Sequence, residues 1–336
     1  MNTWKGKYGP LLIAEIGGNH EGDFDYAKRL TQLAIESGAD FVKFQIYTGD
    51  TLVSALESPT RNQHFKKFEL SPEQHIELAQ LCQAHEVGYM ASVWEEAALK
   101  WIDPYISIYK VGSGDLTAYP VLKTLAAYRK PLILSTGLAT EAEVVEAVQF
   151  IRSQDPIYEK PEYLAVLQCT SMYPIPKDDA NLRVMDQLRS LTGCPIGYSD
   201  HTEGSKALEI ATAMGAEILE FHFTDSREGK TFRDHKVSLT RDEVIALRSK
   251  LQDIERLQGD RVKQPLAVEG DHVVSFRRAV YPVKDLPAGT TLSMNNLTTL
   301  RPNHGIDARD IFKVLGKKTT VDLKRHQKLD WEFLID

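Results

Sequence analysis

Short apolar, β-branched runs recur along the chain, each followed by a stretch whose apolar residues return at helical spacing. Eight such runs, at 11–17, 40–46, 88–94, 106–112, 131–137, 163–170, 195–201 and 217–224, predict strands. Between them, 26–37, 72–85, 141–153 and 204–214 carry amphipathic patterns that predict helices, and 241–258 predicts a last one. Strand and helix in alternation imply parallel pairing through right-handed crossovers. The runs are continuously apolar, as expected of strands covered on both faces. Eight such units close most naturally into a (β/α)8 barrel, the TIM-barrel architecture. An open doubly wound sheet would place a glycine fingerprint after its first strand, and Gly17-Gly18-Asn19-His20 does not supply GxGxxG.

The pattern changes after the last helix. Residues 259–272 are polar and include Pro265 and Gly270, so they read as a linker between a barrel domain, 1–258, and a second domain, 273–336. In that second domain VVSFRRAVYPV is strand-like, and LPAGTTL is a turn built on Pro287 and Gly289. Residues 294–297, 307–315 and the VLGKKTTVDLK run predict short helices and strands in a domain near the minimum size that folds alone.

Composition narrows the function classes. The 336 residues carry a formal charge of −7 without a basic block, which argues against a nucleic-acid partner. It does not argue against an anionic substrate, since a few lysines in a cleft bind phosphate within an acidic protein. Three scattered cysteines without a CxxC pair suggest neither zinc nor redox work and predict a reducing, cytoplasmic setting. No apolar run is long enough to cross a bilayer, and MNTWKGKYGP has no signal-peptide core, so no membrane association is expected.

The candidate chemistry lies at the ends of the predicted strands, where barrels carry their active sites. In strand order, these positions hold Glu15, then Lys43 and Gln45, Ser92 and Trp94, Lys110 with Gly112-Ser113-Gly114-Asp115, and Ser135-Thr136-Gly137. Thr170-Ser171 with nearby Tyr173, Ser199-Asp200-His201, and Glu220 with His222 complete the ring. Any one of these has a bland reading as an edge charge, a hydrogen-bonded histidine or a turn. Eight strand ends converging on one mouth do not, because burying unpaired charge is costly. Lys43 and Lys110, with the small donors Ser113, Ser135, Thr136 and Gly137, suit a phosphate and a carboxylate. His201 and His222 either share one metal or divide into a general base and a structural residue. Two imidazoles with few carboxylates suit Mn²⁺, Zn²⁺ or Fe²⁺.

At these positions the sequence resembles the sialic acid synthase family. The matching segments are AEIGGNHEG, GADFVKFQ, YKVGSGD, LSTG, QCTSMYP, IGYSDHT, LEFHFT and DHKVSL, followed in the tail by LPAGTTL, RPNHG and VLGKK. The resemblance runs in order over nearly the whole chain, and it identifies the tail with that family's C-terminal antifreeze-like (SAF, β-clip) domain. It implies a synthase in which C3 of phosphoenolpyruvate attacks the aldehyde of an open-chain N-acylmannosamine, water adds at C2 and phosphate leaves. A divalent metal, typically Mn²⁺, polarises the aldehyde oxygen. Carried onto this chain, Lys43, Lys110, Ser113, Ser135 and Gly137 match phosphoenolpyruvate contacts, and His201 and His222 match the metal ligands. Glu15, Gln45, Tyr173 and Asp234 match residues around the sugar or the attacking water, and Glu15, Asp115 and Lys110 are the catalytic candidates. Arg301 matches an arginine that reaches the sugar's N-acyl group across a domain-swapped homodimer.

The chain departs from the family pattern at several positions. Asp115 stands where several bacterial members have Glu, and Ser171 where they have Asn; both choices resemble animal enzymes that use a 6-phosphorylated sugar. Trp94 replaces a common Phe, Phe221 an Arg, and Arg233 a Pro. These changes bear on the sugar more than on the reaction, leaving legionaminic, pseudaminic or 9-phosphorylated sialic acid as alternative products. Synthases of other 3-deoxy-ulosonic acids lack the RPNHG tail. A non-catalytic sugar- or ice-binding protein on a retired barrel would not need Glu15, Lys43, Lys110, His201 and His222 together.

Overall fold

The eight apolar runs form strands that hydrogen-bond in sequence order and close on themselves in a computed structural model describing residues 3–336. A two-residue strand β1 (Lys5–Gly6) pairs antiparallel with the first of them, β2 (Gly9–Glu15). There follow β3 (Phe41–Ile46), β4 (Gly88–Val93), β5 (Tyr109–Val111), β6 (Leu132–Ser135), β7 (Leu164–Cys169), β8 (Ile196–Asp200) and β9 (Ile218–His222). All seven successive pairs from β2 to β9 are parallel, and β9 returns to β2, so the sheet is the expected eight-stranded barrel.

Each expected helix forms, with ends set by local chemistry. Phe24–Ser37 starts on the Asp23 carboxylate, which accepts from the Tyr26 amide, and stops at Gly38 with φ 81°. Glu141–Gln154 and Arg241–Gln258 open with Thr–Glu capping boxes. Their buried faces pack on the outside of the barrel, where Leu30, Leu78, Val148 and Leu247 join the outward-facing strand residues in one core. A second, smaller cluster fills the barrel's interior away from the strand C-termini, with Ile13, Met90, Ile133, Leu167 and Ile218 around Trp4. The Trp4 indole donates to the Pro161 carbonyl at 2.6 Å, so the segment around β1 plugs the barrel floor and leaves the opposite end for chemistry.

Residues through Gly259 make one compact unit and Asp260–Asp336 a second. Every residue from 259 to 272 is exposed. The second unit has its own core of Val280, Leu286, Leu292, Leu297, Val314 and Leu323 between two antiparallel pairs, β10 (Ala279–Pro282) with β11 (Leu297–Leu300) and β12 (Lys318–Thr319) with β13 (Leu334–Ile335). The strand expectation for VVSFRRAVYPV holds only from Ala279. His272–Ser275 is a helical turn, closed by amides of Ser275 and Phe276 on the carbonyls of Asp271 and His272. Val273 is only partly buried and Val274 is exposed, so no sheet surface rewards their β-branching.

Candidate active site

Strand register assembles the site. Glu15 on β2 lies directly between Lys43 on β3 and His222 on β9, and Ser199 on β8 faces Glu220 on β9. Lys110 on β5 is in register with Ser92 on β4. These polar side chains all line the interior above the apolar floor. Glu15, Lys43, Lys110, Ser135, His201, Glu220 and His222 are each at most 6% exposed.

Two buried lysines organise the centre. Lys43 Nζ lies 2.5 Å from Glu15 Oε2 and 3.7 Å from Glu220 Oε2. Gln45 Nε2 donates to the other Glu15 oxygen at 2.8 Å, which fixes the carboxylate between two partners. Lys110 Nζ donates to Ser135 Oγ at 2.6 Å and to the Val111 carbonyl at 3.1 Å, and it sits 3.6 Å from Glu220 Oε1. Ser199 Oγ donates to the same Glu220 oxygen at 3.0 Å. Burial works to discharge Lys43, but Glu15 and Glu220 outweigh it and raise its pKa. Burial wins at Lys110: with Lys43 adding to it and Glu220 opposing, its pKa falls below the ordinary lysine value. Burial would raise the Glu220 carboxyl, yet Lys110, Lys43 and Ser199 together hold it well below the usual carboxylate range. The centre is therefore a buried charged cluster in which the two lysines are interleaved with the carboxylates of Glu15 and Glu220.

The flanking loops complete a cradle beside Lys110. The Gly137 amide donates to Ser113 Oγ at 3.0 Å. A Cβ at Gly137 would strike Ser171 Oγ and come within 2.8 Å of Ser113 Oγ, so a larger residue there would have to displace both hydroxyls. Asp115 is partly buried near Trp94; burial raises its pKa and the Trp94 indole opposes the rise.

On the opposite side, His201 and His222 bring their rings to a centroid distance of 5.2 Å. His201 Nδ1 lies 2.9 Å from the Thr170 carbonyl, an acceptor, so Nδ1 carries the hydrogen and Nε2 keeps a lone pair. Burial, aided by the neighbouring His222, lowers His201 to about 3 and keeps it neutral at physiological pH. His222 Nδ1 is buried without a hydrogen-bond partner and lies 3.9 Å from Asp234 Oδ2. The Tyr173 ring packs against that of His201, tilted by 30°, with centroids 4.0 Å apart. No group of three His, Cys, Asp or Glu that could hold a metal ion forms among the described residues. The arrangement is instead a pair of neighbouring imidazoles with an orphaned buried nitrogen on His222, which fits an ion whose remaining positions go to water and substrate.

The barrel mouth thus brings together every sequence-predicted site residue except Arg301, which belongs to the second unit. There it is exposed, with its guanidinium 5.6 Å from the Phe276 ring. The RPNHG loop that carries it is held by the Asn303 amide on the Val274 carbonyl and by Tyr281 Oη on the Pro302 carbonyl at 2.6 Å. Two contributions escaped sequence reasoning. Glu220 was visible as a strand-end carboxylate, but its place between both lysines depends on register. Arg233 was visible only as a departure from a pattern, whereas its guanidinium lies 4.5 Å from the Tyr173 ring.

The model of the NeuB family matches residues 30–263, and that of the SAF domain matches residues 277–335. The chain is 33% identical over 330 residues to the N,N'-diacetyllegionaminic acid synthase of Campylobacter jejuni, covering 94% of this chain and 98% of that protein. It is 34% identical over 333 residues to the N-acetylneuraminate-9-phosphate synthase of Mus musculus, covering 95% and 91%. Among solved structures, the N-acetylneuraminic acid synthetase of Leptospira borgpetersenii, in complex with citrate, superposes with a TM-score of 0.72 at 29% identity, covering 78% of this chain and 90% of that one.

Proposed function

This chain belongs to the NeuB family, and from that premise we propose that it joins phosphoenolpyruvate to the aldehyde of an open-chain N-acylmannosamine-type sugar, giving a nonulosonic acid and phosphate. That it is an enzyme of nonulosonic acid synthesis follows from the family itself, which sets aside the retired barrel. The observation that carries the finer reading is the pair of buried lysine side chains beside two neighbouring buried imidazoles in one mouth.

In this reading Lys43 and Lys110 hold the donor's phosphate and carboxylate, and Ser113, Ser135 and Gly137 orient them. The donor's C3 forms a bond to the aldehyde carbon, whose oxygen takes up a proton. Water then adds at C2, the C2–O bond breaks, phosphate departs, and a 2-keto acid remains. Glu15, clamped by Lys43 and Gln45, is placed to accept the proton of the attacking water. Asp115, raised by burial, is suited to carry a proton near the donor. Tyr173 and Asp234 border the sugar side. His201 and His222 would hold a divalent ion, most simply Mn²⁺, whose chemistry is polarisation of the aldehyde oxygen. The family resemblance gives Arg301 the N-acyl group, with the chain acting as a homodimer.

The test is phosphate release from phosphoenolpyruvate with a panel of N-acyl amino sugars. Release that requires both an acylated aldehyde and a divalent metal supports the reading, while release with 3-deoxy-ulosonic precursors such as unacylated aldose phosphates overturns it.

A further inference from the structure

The indole of Trp94 offers a buried N–H that the chemistry above does not use. Trp94 follows β4, and its amide donates to the Ile46 carbonyl at 2.9 Å, which carries the β3–β4 ladder one residue further and fixes its backbone. Its ring stacks on Tyr47, with centroids 5.3 Å apart and planes 30° apart. Tyr47 in turn meets Phe65, from the helix Pro59–Lys67, edge to face at 5.2 Å. An aromatic wall thus backs one face of the indole and holds the ring in place. The indole Nε1 is buried and has no hydrogen-bond partner among the described residues. A buried N–H left unpaired is costly, so it calls for an acceptor close by.

The Asp115 carboxylate lies beside it. After β5 the chain turns through Ser113–Asp115; the Asp115 amide donates to the Gly112 carbonyl at 3.0 Å, and the Asp115 carbonyl accepts from the Ala118 amide at 2.9 Å. The backbone of Asp115 is therefore fixed, like that of Trp94, and its side-chain torsions are what remains free. A Cβ built on Gly112 would lie 3.6 Å from Asp115 Oδ2 and 3.8 Å from Trp94 Nε1, so the carboxylate and the indole N–H border one small space above that glycine. The indole already acts on the carboxylate: burial raises the Asp115 pKa, and Trp94, ahead of Lys110, lowers it. The two groups are neighbours whose alignment falls short of an ordinary hydrogen bond. Lys110, on β5, acts on Asp115 through its charge, while its own hydrogen bonds go to Ser135 and the Val111 carbonyl. Lys110 thus supplies charge, and the indole N–H supplies direction.

We propose that Trp94 is a positioning residue for Asp115: during the reaction the carboxylate turns onto the indole N–H, which holds one oxygen and leaves the other for the proton it carries. This rests on the synthase reading, in which Asp115 carries a proton near phosphoenolpyruvate, and it names the residue that orients that carboxylate.

The experiment removes the N–H and keeps the ring. Trp94→Phe retains an aromatic face for Tyr47. The benzothiophene analogue of tryptophan, incorporated at position 94, retains the whole bicycle and puts sulfur in place of the N–H. Asp115→Asn, alone and combined with each change, completes a double-mutant cycle. Turnover is read as phosphate release from phosphoenolpyruvate with the acylated sugar the enzyme uses fastest. The Asp115 carboxyl is titrated by ¹³C NMR of aspartate-labelled protein and assigned by the signal that Asp115→Asn removes. Each change at position 94 should lower kcat by roughly tenfold, the scale of one hydrogen bond to a charged group, and leave KM for phosphoenolpyruvate nearly unchanged. That loss should vanish in the Asp115→Asn background. The indole N–H favours the ionised carboxylate, so its removal should move the Asp115 titration to higher pH, together with the limb of the pH–rate profile that Asp115→Asn abolishes. An unmoved titration, or a loss that persists in full beside Asp115→Asn, would show that the indole only packs, and would overturn the proposal while leaving the synthase reading intact. No turnover with any acylated aldehyde would overturn the synthase reading, and the NMR titration would still decide whether the indole holds Asp115.

Discussion

Replacing Glu220 with glutamine tests whether the mouth is a cation pair held for an anion. The substitution keeps size and the hydrogen bond from Ser199, which donates to Glu220 Oε1 at 3.0 Å, and removes only the charge. Glu220 lies 3.6 Å from the Lys110 ammonium and 3.7 Å from that of Lys43. At an effective dielectric of about 20, each contact is worth roughly 4–5 kcal/mol of attraction. The carboxylate's own desolvation cost, several kcal/mol, disappears with it and offsets a large part of that. What remains is two buried cations with Glu15 compensating Lys43 alone, and breaking a buried pair in this way costs about 3–5 kcal/mol. We expect Glu220→Gln to lose about 3 kcal/mol of unfolding free energy without ligand, at the low end of that range because Glu15 remains. Phosphoenolpyruvate restores negative charge beside both lysines, so the deficit should shrink when the donor saturates the site. Urea unfolding followed by circular dichroism, with and without phosphoenolpyruvate, reads both quantities. A ligand-free loss below about 1 kcal/mol, or the same loss with and without the donor, would refute the reasoning.

Other consequences follow from the same geometry. Burial lowers the Lys110 pKa, so donor affinity should hold below that shifted value and fall as pH rises through it, earlier than for an ordinary lysine. Lys43, shifted upward, stays charged across the same window; calorimetric titrations should therefore show an alkaline loss that Lys110→Met abolishes. His201→Ala and His222→Ala should each end stimulation by Mn²⁺ while circular dichroism stays native, and metal dependence that survives in both would reject the assignment. Arg301→Ala should raise KM for the sugar far more than for the donor. Mixed with Lys110→Met it should regain activity through subunit exchange, whereas an active strict monomer would exclude the shared site.

The barrel was readable because its strands are covered on both faces, which turns burial into continuous apolar runs with polar residues only at the ends. Those ends placed Lys43, Lys110, His201 and His222 on the mouth. Sequence spacing did not reveal which groups touch. Lys43 meets Glu15 through the β2–β3 register, and Glu220 on β9 reaches Lys43 on β3 and Lys110 on β5 only because the closed barrel brings these strands round one interior. Arg233 was harder still, since its position depends on a loop pinned by Phe232 rather than on any repeating pattern. The helical turn at His272–Ser275 was misread because β-branching signals a strand only where a sheet surface receives it.

The central claim is carbon–carbon bond formation with cleavage of the donor's C2–O bond. Phosphoenolpyruvate labelled with ¹⁸O in its bridging oxygen, incubated with an N-acylhexosamine or its 6-phosphate and Mn²⁺, tests it by mass spectrometry of both products. The account predicts a nonulosonic acid and, in equal amount, phosphate that carries the label. Label retained in the organic product, or donor consumption that does not depend on the sugar, would contradict it.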